Sequence, residues 1–198
     1  TFIHNLLHIT GQLQKQPLIK SNIYCIFNGE IYNYKKFNNN YTSDGQCLID
    51  LYLKHGASFT RLLDGEFTIV LFDFNQNKVI FSSDIFATKP LYFSFDDDNR
   101  FGISSYKYAL TSIGLNKCYK MEANTILEVD LNSYKFNYIG KVHQFKLNQH
   151  KRHYIDFERA LIQAIQKRVN TTQSVFITLS SGYDSGTLSC LLNQLLIK

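Results

Sequence analysis

The chain has 198 residues, of which 44% are hydrophobic and 15% aromatic, so it can bury a core and is not a disordered chain. Its formal net charge of +5 is spread along the sequence, with one basic cluster at 150–153, which argues against a nucleic-acid-binding surface. No apolar run reaches the length of a membrane span, and four cysteines without paired spacing predict reduced thiols in a cytoplasmic protein.

The first 140 residues read mostly as strands. A strand over 22–27 ends at Asn28-Gly29, which predicts a turn, and Ser43–Gln46 has the form of a capping box before a helix that Gly56 ends. Three hairpins follow, pairing 67–74 with 78–83, 91–95 with 100–104 around the turn 96–99, and 125–129 with 134–138. Hairpins in series with interposed helices predict antiparallel sheets in an α+β domain.

The pattern changes after residue 140. Residues 141–153 are polar and predict a linker, and 154–169 have the apolar periodicity of a helix. A strand over 175–179, a polar turn over 180–185 and a helix over 187–197 follow in α/β order. One strand and one helix do not close a doubly wound domain, so we expect this sequence to be a fragment trimmed at both ends.

Two motifs carry candidate chemistry. The turn at 180–185 would aim backbone N–H groups and two serine hydroxyls at an anion such as phosphate, or it is an ordinary serine-rich turn. In the segment 28–33, Gly29 permits close backbone approach, Asn28 could complete an oxyanion hole, and Glu30 could bind an ammonium group. The alternative for this second motif is a β-turn that begins a helix.

Several motifs in order resemble the asparagine synthetase family, which joins an Ntn-type class II glutamine amidotransferase domain to an ATP pyrophosphatase domain. The matching segments are Thr1–Ile9 with its strand, Gln16-Pro17-Leu18 with Q-P-[LM], Asn28–Asn33 with N-G-E-I-Y-N, Ser43-Asp44 with S-D, Leu63–Asp73, Asp84–Tyr92, Ser105–Leu110 and the turn at 180–185. The resemblance implies an Ntn-type sandwich of antiparallel sheets flanked by helices over 1–140, a linker over 141–153, and the first βα unit of a pyrophosphatase domain over 154–198.

The resemblance also implies roles for individual residues. Asn28 and Gly29 would form the oxyanion hole for glutamine hydrolysis, and Glu30 and Asp44 would hold the glutamine α-ammonium group. The implied ATP-binding residues are Leu179, Ser180, Ser181, Gly182, Asp184 and Ser185. Asp184 would bind Mg²⁺.

The departures from the family bear on glutamine use. None of the four cysteines occupies the chain start, where the family places its nucleophile. Leu6 stands where the family has the Arg that pairs with the glutamine carboxylate, and an apolar side chain cannot replace a guanidinium. Ser83 and Ala87 replace an Arg and a Gly of the family pattern.

The resemblance implies an ATP-dependent, asparagine synthetase-like ligase in the full-length protein, with this fragment inactive alone. Ammonia from glutamine would attack an adenylated carboxylate, aspartate by default, releasing AMP and pyrophosphate. The expected cofactors are ATP and Mg²⁺, the expected partners are small-molecule substrates rather than nucleic acid or membrane, and a homodimer is left open. The alternatives are a β-lactam-synthetase-like or other amide-forming enzyme with a degenerate amidotransferase domain, and a non-enzymatic scaffold or decayed fragment.

Overall fold

The structure is a computed structural model that describes residues 1–96, 100–171 and 173–197. Its contacts divide the chain into two units. Unit 1 comprises Thr1–Leu6 and Gln12–Gln144, and unit 2 comprises Leu7–Gly11 and Phe145–Lys198. Among the described residues, no helix is long and apolar enough to cross a bilayer.

Unit 1 contains two antiparallel sheets. The first has six strands in the order β1-β2-β3-β4-β8-β9, and the second has three in the order β6-β5-β7. The strands are β1 Leu18–Lys20, β2 Ile23–Ile31, β3 Gly65–Asp73, β4 Lys78–Ser83, β5 Tyr92–Phe95, β6 Phe101–Ser104, β7 Cys118–Lys120, β8 Thr125–Asp130 and β9 Phe136–Gly140. The helices are α1 Cys47–His55 and α2 Lys107–Thr111, with 3₁₀ turns at Tyr34–Lys36, Asp44–Gln46 and Gly56–Leu62.

Alternation along the strands builds a four-layer arrangement. One face of the larger sheet buries residues such as Cys25 and Leu71 against α1. The other face packs Val70 and Phe81 against Phe93 of the smaller sheet. Helix α2 covers the far side of that sheet, where Gly102 faces leucine side chains. The order is therefore helix, sheet, sheet, helix, and the predicted α+β sandwich is confirmed.

Local sequence signals predicted most elements of unit 1 correctly. The three hairpins form with the expected partners, although residues 97–99 of the second turn lie outside the described residues. The Gln46 side chain accepts the Ser43 N–H at 3.3 Å, so the capping box forms, and it leads through a 3₁₀ turn into α1. Gly56 ends that helix with a φ of 62°.

Two expectations for the N-terminal part of the chain are wrong. Asn28-Gly29 is not a turn, because β2 continues through it to Ile31 in unbroken register with β3. Residues 1–9 form no strand, although the family resemblance implied one there. The reason is the same in both cases: pairing with a neighbouring strand, rather than local sequence, decides whether a segment is a strand.

Unit 2 is helical where it has regular structure. Helix α3 spans Tyr154–Val169, as predicted, and α4 spans Tyr183–Leu196, beginning four residues earlier than expected. The strand predicted over 175–179 is absent. The described residues of unit 2 form no strand with which this segment could share backbone hydrogen bonds, and Phe176 and Leu179 are exposed.

Candidate active site

The outer edge of β2 presents a row of backbone N–H groups beyond the short strand β1. In an antiparallel sheet, the N–H groups of alternate residues point to the same side. The N–H of Phe27 donates to Oε1 of Gln16 at 2.8 Å, and that of Ile31 donates to Oδ2 of Asp44 at 2.9 Å. The N–H of Gly29 lies between these two and, by the same alternation, points to the same edge.

Contacts on β3 support this orientation of Gly29. Phe67, the register partner of Gly29, donates its N–H to Oδ2 of Asp84 at 3.0 Å, and its carbonyl accepts the Asp84 N–H at 2.9 Å. The polar backbone groups of Phe67 therefore face away from Gly29. Gly29 and Phe67 form a pair without mutual hydrogen bonds, and the Gly29 N–H is directed outward.

Only glycine fits at position 29. Its φ is 136°, and a Cβ there would lie 1.9 Å from the carbonyl oxygen of Glu66. Gly65 is close-packed in the same way, because its Cβ would lie 2.2 Å from the carbonyl oxygen of Glu30. Both glycines let the ends of β2 and β3 approach closely, which fixes the backbone beside the candidate oxyanion hole.

Two carboxyl groups lie near this edge. Asp44 is 5% exposed, and burial raises the pKa of its carboxyl group, although the hydrogen bond from Ile31 opposes the shift. The pKa of Tyr34 is raised by burial and then by the charges of Asp44 and Glu30. Both carboxylates therefore act on the same phenol, and a cation placed between them would relieve the cost of burying Asp44.

Asn28 belongs to the same face of β2 as Glu30, because side chains alternate along a strand. It is exposed and stands opposite Thr68 in register. Its amide N–H is therefore accessible at the strand position next to the outward N–H of Gly29. The structure brings together the four residues predicted in unit 1: Asn28, Gly29, Glu30 and Asp44.

Three residues near this site were not assigned roles by the sequence. Gln16 accepts the N–H of Phe27 on β2, and Asp84 accepts the N–H of Phe67, the register partner of Gly29 on β3. Burial and the charges of Asp44 and Glu30 raise the pKa of Tyr34. The first two lie in motifs that carried the family resemblance, so a signal was present. Their partners are 11 and 17 positions away in sequence, and spacing alone does not identify such contacts.

Two cysteines of unit 1, Cys25 and Cys47, are poorly suited to nucleophilic catalysis. Cys25 and Cys47 are fully buried, and burial raises the pKa of both thiols, that of Cys47 to about 12. A thiol with a raised pKa forms little of the reactive thiolate. Any cysteine nucleophile of this site is therefore a different residue.

The turn before α4 in unit 2 is held by its own serines. The hydroxyls of Ser180 and Ser185 are 2.8 Å apart, the Gly182 N–H donates to the Ser180 hydroxyl at 3.2 Å, and the Ser185 hydroxyl lies 3.1 Å from the Gly182 carbonyl oxygen. Residues 183–185, predicted as part of the turn, instead form the first turn of the helix. The predicted loop is thus shorter than expected, with Gly182 as the helix cap.

The fit of this turn to a nucleotide phosphate and Mg²⁺ rests on its donors. Gly182 caps α4 without a side-chain hydrogen bond, so the first N–H groups of the helix remain suited to an anion. Ser181 and Asp184 are exposed beside them, as is Leu179. No group of three or more metal-ligating side chains occurs within the described residues, so Mg²⁺ would depend on Asp184 and on phosphate oxygens.

Most of the chain is similar in sequence to a known domain family. The profile of the glutamine amidotransferase domain matches residues 2–158, most of the chain. The chain belongs to this family. Within it, the chain is 29% identical to "Putative asparagine synthetase [glutamine-hydrolyzing] 1" of Methanocaldococcus jannaschii, over 94% of this chain and 39% of that protein. It is 28% identical to "Probable asparagine synthetase [glutamine-hydrolyzing]" of Acanthamoeba polyphaga mimivirus, over the same shares.

The fold is similar to that of a solved structure. An allosteric regulatory enzyme of purine biosynthesis matches 67% of this chain and 31% of its own, with a TM-score of 0.51 and 17% identity. This likeness shows the fold, and the expected Ntn-type arrangement of the glutamine amidotransferase domain is confirmed. The chain spans about two fifths of the curated asparagine synthetases it matches.

Proposed function

We propose that unit 1 hydrolyses glutamine and supplies ammonia to an amide-forming reaction of the full-length protein. The observation that carries this proposal is the outward N–H of Gly29, placed between two bonded N–H groups and beside the amide of Asn28. Two such donors at one point stabilise the oxyanion that forms when a nucleophile attacks the glutamine side-chain carbonyl. Collapse of that tetrahedral species breaks the C–N bond, and the nitrogen takes up the nucleophile's proton and leaves as ammonia. Water then hydrolyses the glutamyl–enzyme bond, which releases glutamate and the free nucleophile.

Glu30 and Asp44 select the substrate in this proposal. Their charges converge near Tyr34, and a glutamine α-ammonium group between them would gain two charge-assisted hydrogen bonds. The nucleophile would be an N-terminal cysteine of the full-length protein, as the family resemblance implies. The buried Cys25 and Cys47 would serve packing.

The second half of the proposal concerns the turn before α4. A substrate carboxylate oxygen attacks the α-phosphorus of ATP, the bond to the bridging oxygen breaks, and pyrophosphate leaves. The N–H groups at the start of α4 and the hydroxyls of Ser180 and Ser185 would hold the departing phosphates, with Mg²⁺ supplied through Asp184. Ammonia then attacks the acyl carbon and AMP leaves. Aspartate is the default substrate because the relatives are named asparagine synthetases.

This function places the protein among small-molecule enzymes of the cytoplasm. Its proposed partners are small molecules: glutamine, ATP, and aspartate or another carboxylate. The oligomeric state is left open, with a homodimer as one of the states it allows. The +5 net charge is spread along the sequence with a single short basic cluster at 150–153, which gives no basis for a nucleic-acid partner.

One observation favours a second candidate. Leu6 is 40% exposed and stands where the family carries an Arg for the glutamine carboxylate. An amide-forming enzyme with an inactive amidotransferase domain would tolerate this change, because it takes its amine from elsewhere. The two candidates differ in whether glutamine is consumed.

Substrate measurements on the full-length protein distinguish them. Glu30→Gln should raise KM for glutamine strongly and change kcat little, because the charge acts on the bound ground state and transition state alike.

ATP–pyrophosphate exchange is measured in parallel with a panel of carboxylates, and Asp184→Ala should abolish it. Exchange without ammonia release from glutamine supports the second candidate. No exchange with any carboxylate, or unchanged exchange in Asp184→Ala, contradicts catalysis at this turn.

A further inference from the structure

The Q-P-L motif before β2 has a structural partner that its sequence does not reveal. Strands β1 and β2 pair in a register that matches Leu18 with Cys25. Continued by two residues, the same register would place Gln16 opposite Phe27. The strand β1 nevertheless begins at Leu18, so the backbone of Gln16 does not take part in the ladder.

The side chain of Gln16 takes over where the β1 backbone stops. Its Oε1 accepts the Phe27 N–H at 2.8 Å, which replaces the next bond of the strand ladder. Strand β1 itself reaches only as far as the partner of Cys25, so the Gln16 side chain supplies the acceptor that the strand does not. The contact of Gln16 with Phe27 thus lies two residues before Gly29, and the contact of Asp44 with Ile31 lies two residues after it.

We infer that Gln16 is a positioning residue for the oxyanion hole, acting through the Phe27 N–H to fix the direction of the Gly29 N–H. A donor for an oxyanion must be held in place before the reaction, since reorganisation during the reaction weakens its effect. Gln16 and Asp44 restrain the strand from both sides of Gly29. Asp44 also carries a charge toward the substrate site, whereas Gln16 acts on the backbone alone.

Gln14 provides a matched control two residues earlier. Its Oε1 is buried beside Gly45 without a hydrogen-bond partner. Replacing Gln14 by Met therefore changes the chemistry of the same segment, but its Oε1 has no hydrogen bond to β2 to lose. A general loosening of residues 12–17 would make both variants behave alike.

The test combines amide exchange with kinetics on the full-length protein. Gln16→Met should speed hydrogen exchange at Phe27 by about 5- to 10-fold, while amides of α1 are unchanged. Gln16→Glu keeps an acceptor oxygen and should restore the exchange rates. In glutamine hydrolysis, Gln16→Met should lower kcat by about 10-fold or more with little change in KM, and Gln14→Met should retain the parent kcat.

The inference rests on the proposed glutamine hydrolysis, and the two can fail separately. If the parent protein releases no ammonia from glutamine, the proposed function fails, while amide exchange still decides whether Gln16 fixes the strand edge. Unchanged exchange in Gln16→Met overturns the inference, as does Met-like exchange in Gln16→Glu. Equal losses of kcat in Gln16→Met and Gln14→Met overturn it as well.

Discussion

At the scale of single residues, Gly29 is the position that tolerates substitution least. A methyl group there would overlap the Glu66 carbonyl oxygen, and the φ of 136° is unfavourable for any L-residue. We predict that Gly29→Ala lowers the free energy of unfolding by about 3 kcal/mol or more, because a clash adds to backbone strain.

Gly56→Ala is the matched control for this prediction. Gly56 also has a positive φ, 62°, but a Cβ there would meet no atom within 4 Å. Its substitution should cost only the left-handed backbone strain, about 1–2 kcal/mol. Urea denaturation of both variants measures the difference, and equal losses would show that the close approach of β2 and β3 is not the cause.

Asp44 gives the second residue-scale prediction. Burial raises its pKa, so the folded state disfavours its charged form at neutral pH. Asp44→Asn keeps an acceptor for the Ile31 N–H and removes the charge, so we expect a higher melting temperature at pH 7 together with weaker glutamine binding. As the pH falls through the raised pKa, the parent becomes protonated as well and the difference in melting temperature should shrink.

Thermal melts at several pH values, with glutamine titrations at pH 7, check this prediction. A variant that is less stable than the parent at pH 7 would mean that the charged carboxylate stabilises the fold. Unchanged glutamine affinity would remove Asp44 from the substrate site.

At the scale of elements, Asp84 joins the loop 84–90 to β3. The carboxyl group is 2% exposed and accepts the N–H groups of Phe67, Phe86 and Thr88. Asp84→Ala would leave buried donors without acceptors, and we predict a loss of about 3 kcal/mol or more in the free energy of unfolding.

Asp130→Ala is the control, since Asp130 accepts similar turn bonds from Asn132 and Ser133 but lies on the surface. Its effect in the same denaturation experiment should be clearly smaller. Comparable losses at the two positions would contradict the view that burial of the donors sets the cost.

The elements also show how far the sequence reaches. The capping box at Ser43, the turns of the first and third hairpins and helix α3 depend on neighbours within a few positions, and these were predicted correctly. Asn28-Gly29 has the local signature of a turn, yet pairing with β3 makes it part of a strand. The segment 175–179 has strand composition, but the described part of unit 2 contains no strand for it to pair with.

The site divides in the same way. The residues of the site, Asn28 to Glu30 and Asp44, could be identified from motif composition and family resemblance. The contacts that orient them could not, since Gln16 meets Phe27 across a gap of 11 residues and Asp84 meets Phe67 across 17. Such contacts depend on strand register. The register is set by the pairing of the strands with one another and cannot be read from any one segment of the sequence.

At the scale of the whole molecule, the two units differ in their internal packing. The larger sheet of unit 1 buries side chains on both faces, whereas α3 and α4 of unit 2 contain no buried residue. We predict that in a chain of these 198 residues the amides of α3 and α4 exchange much faster than those of β3 and β4. Hydrogen exchange with mass spectrometry checks this, and equal protection would contradict it.

The most direct test of the central claim is glutamine hydrolysis by the full-length protein with and without the Asn28 amide. Removing one oxyanion donor typically lowers kcat by about 100- to 1000-fold, so Asn28→Ala should do so while its melting temperature stays close to that of the parent. Asn40→Ala, at an exposed position outside the site, should match the parent rate. An Asn28→Ala protein that releases ammonia at the parent rate, or a parent that releases none, would contradict the account.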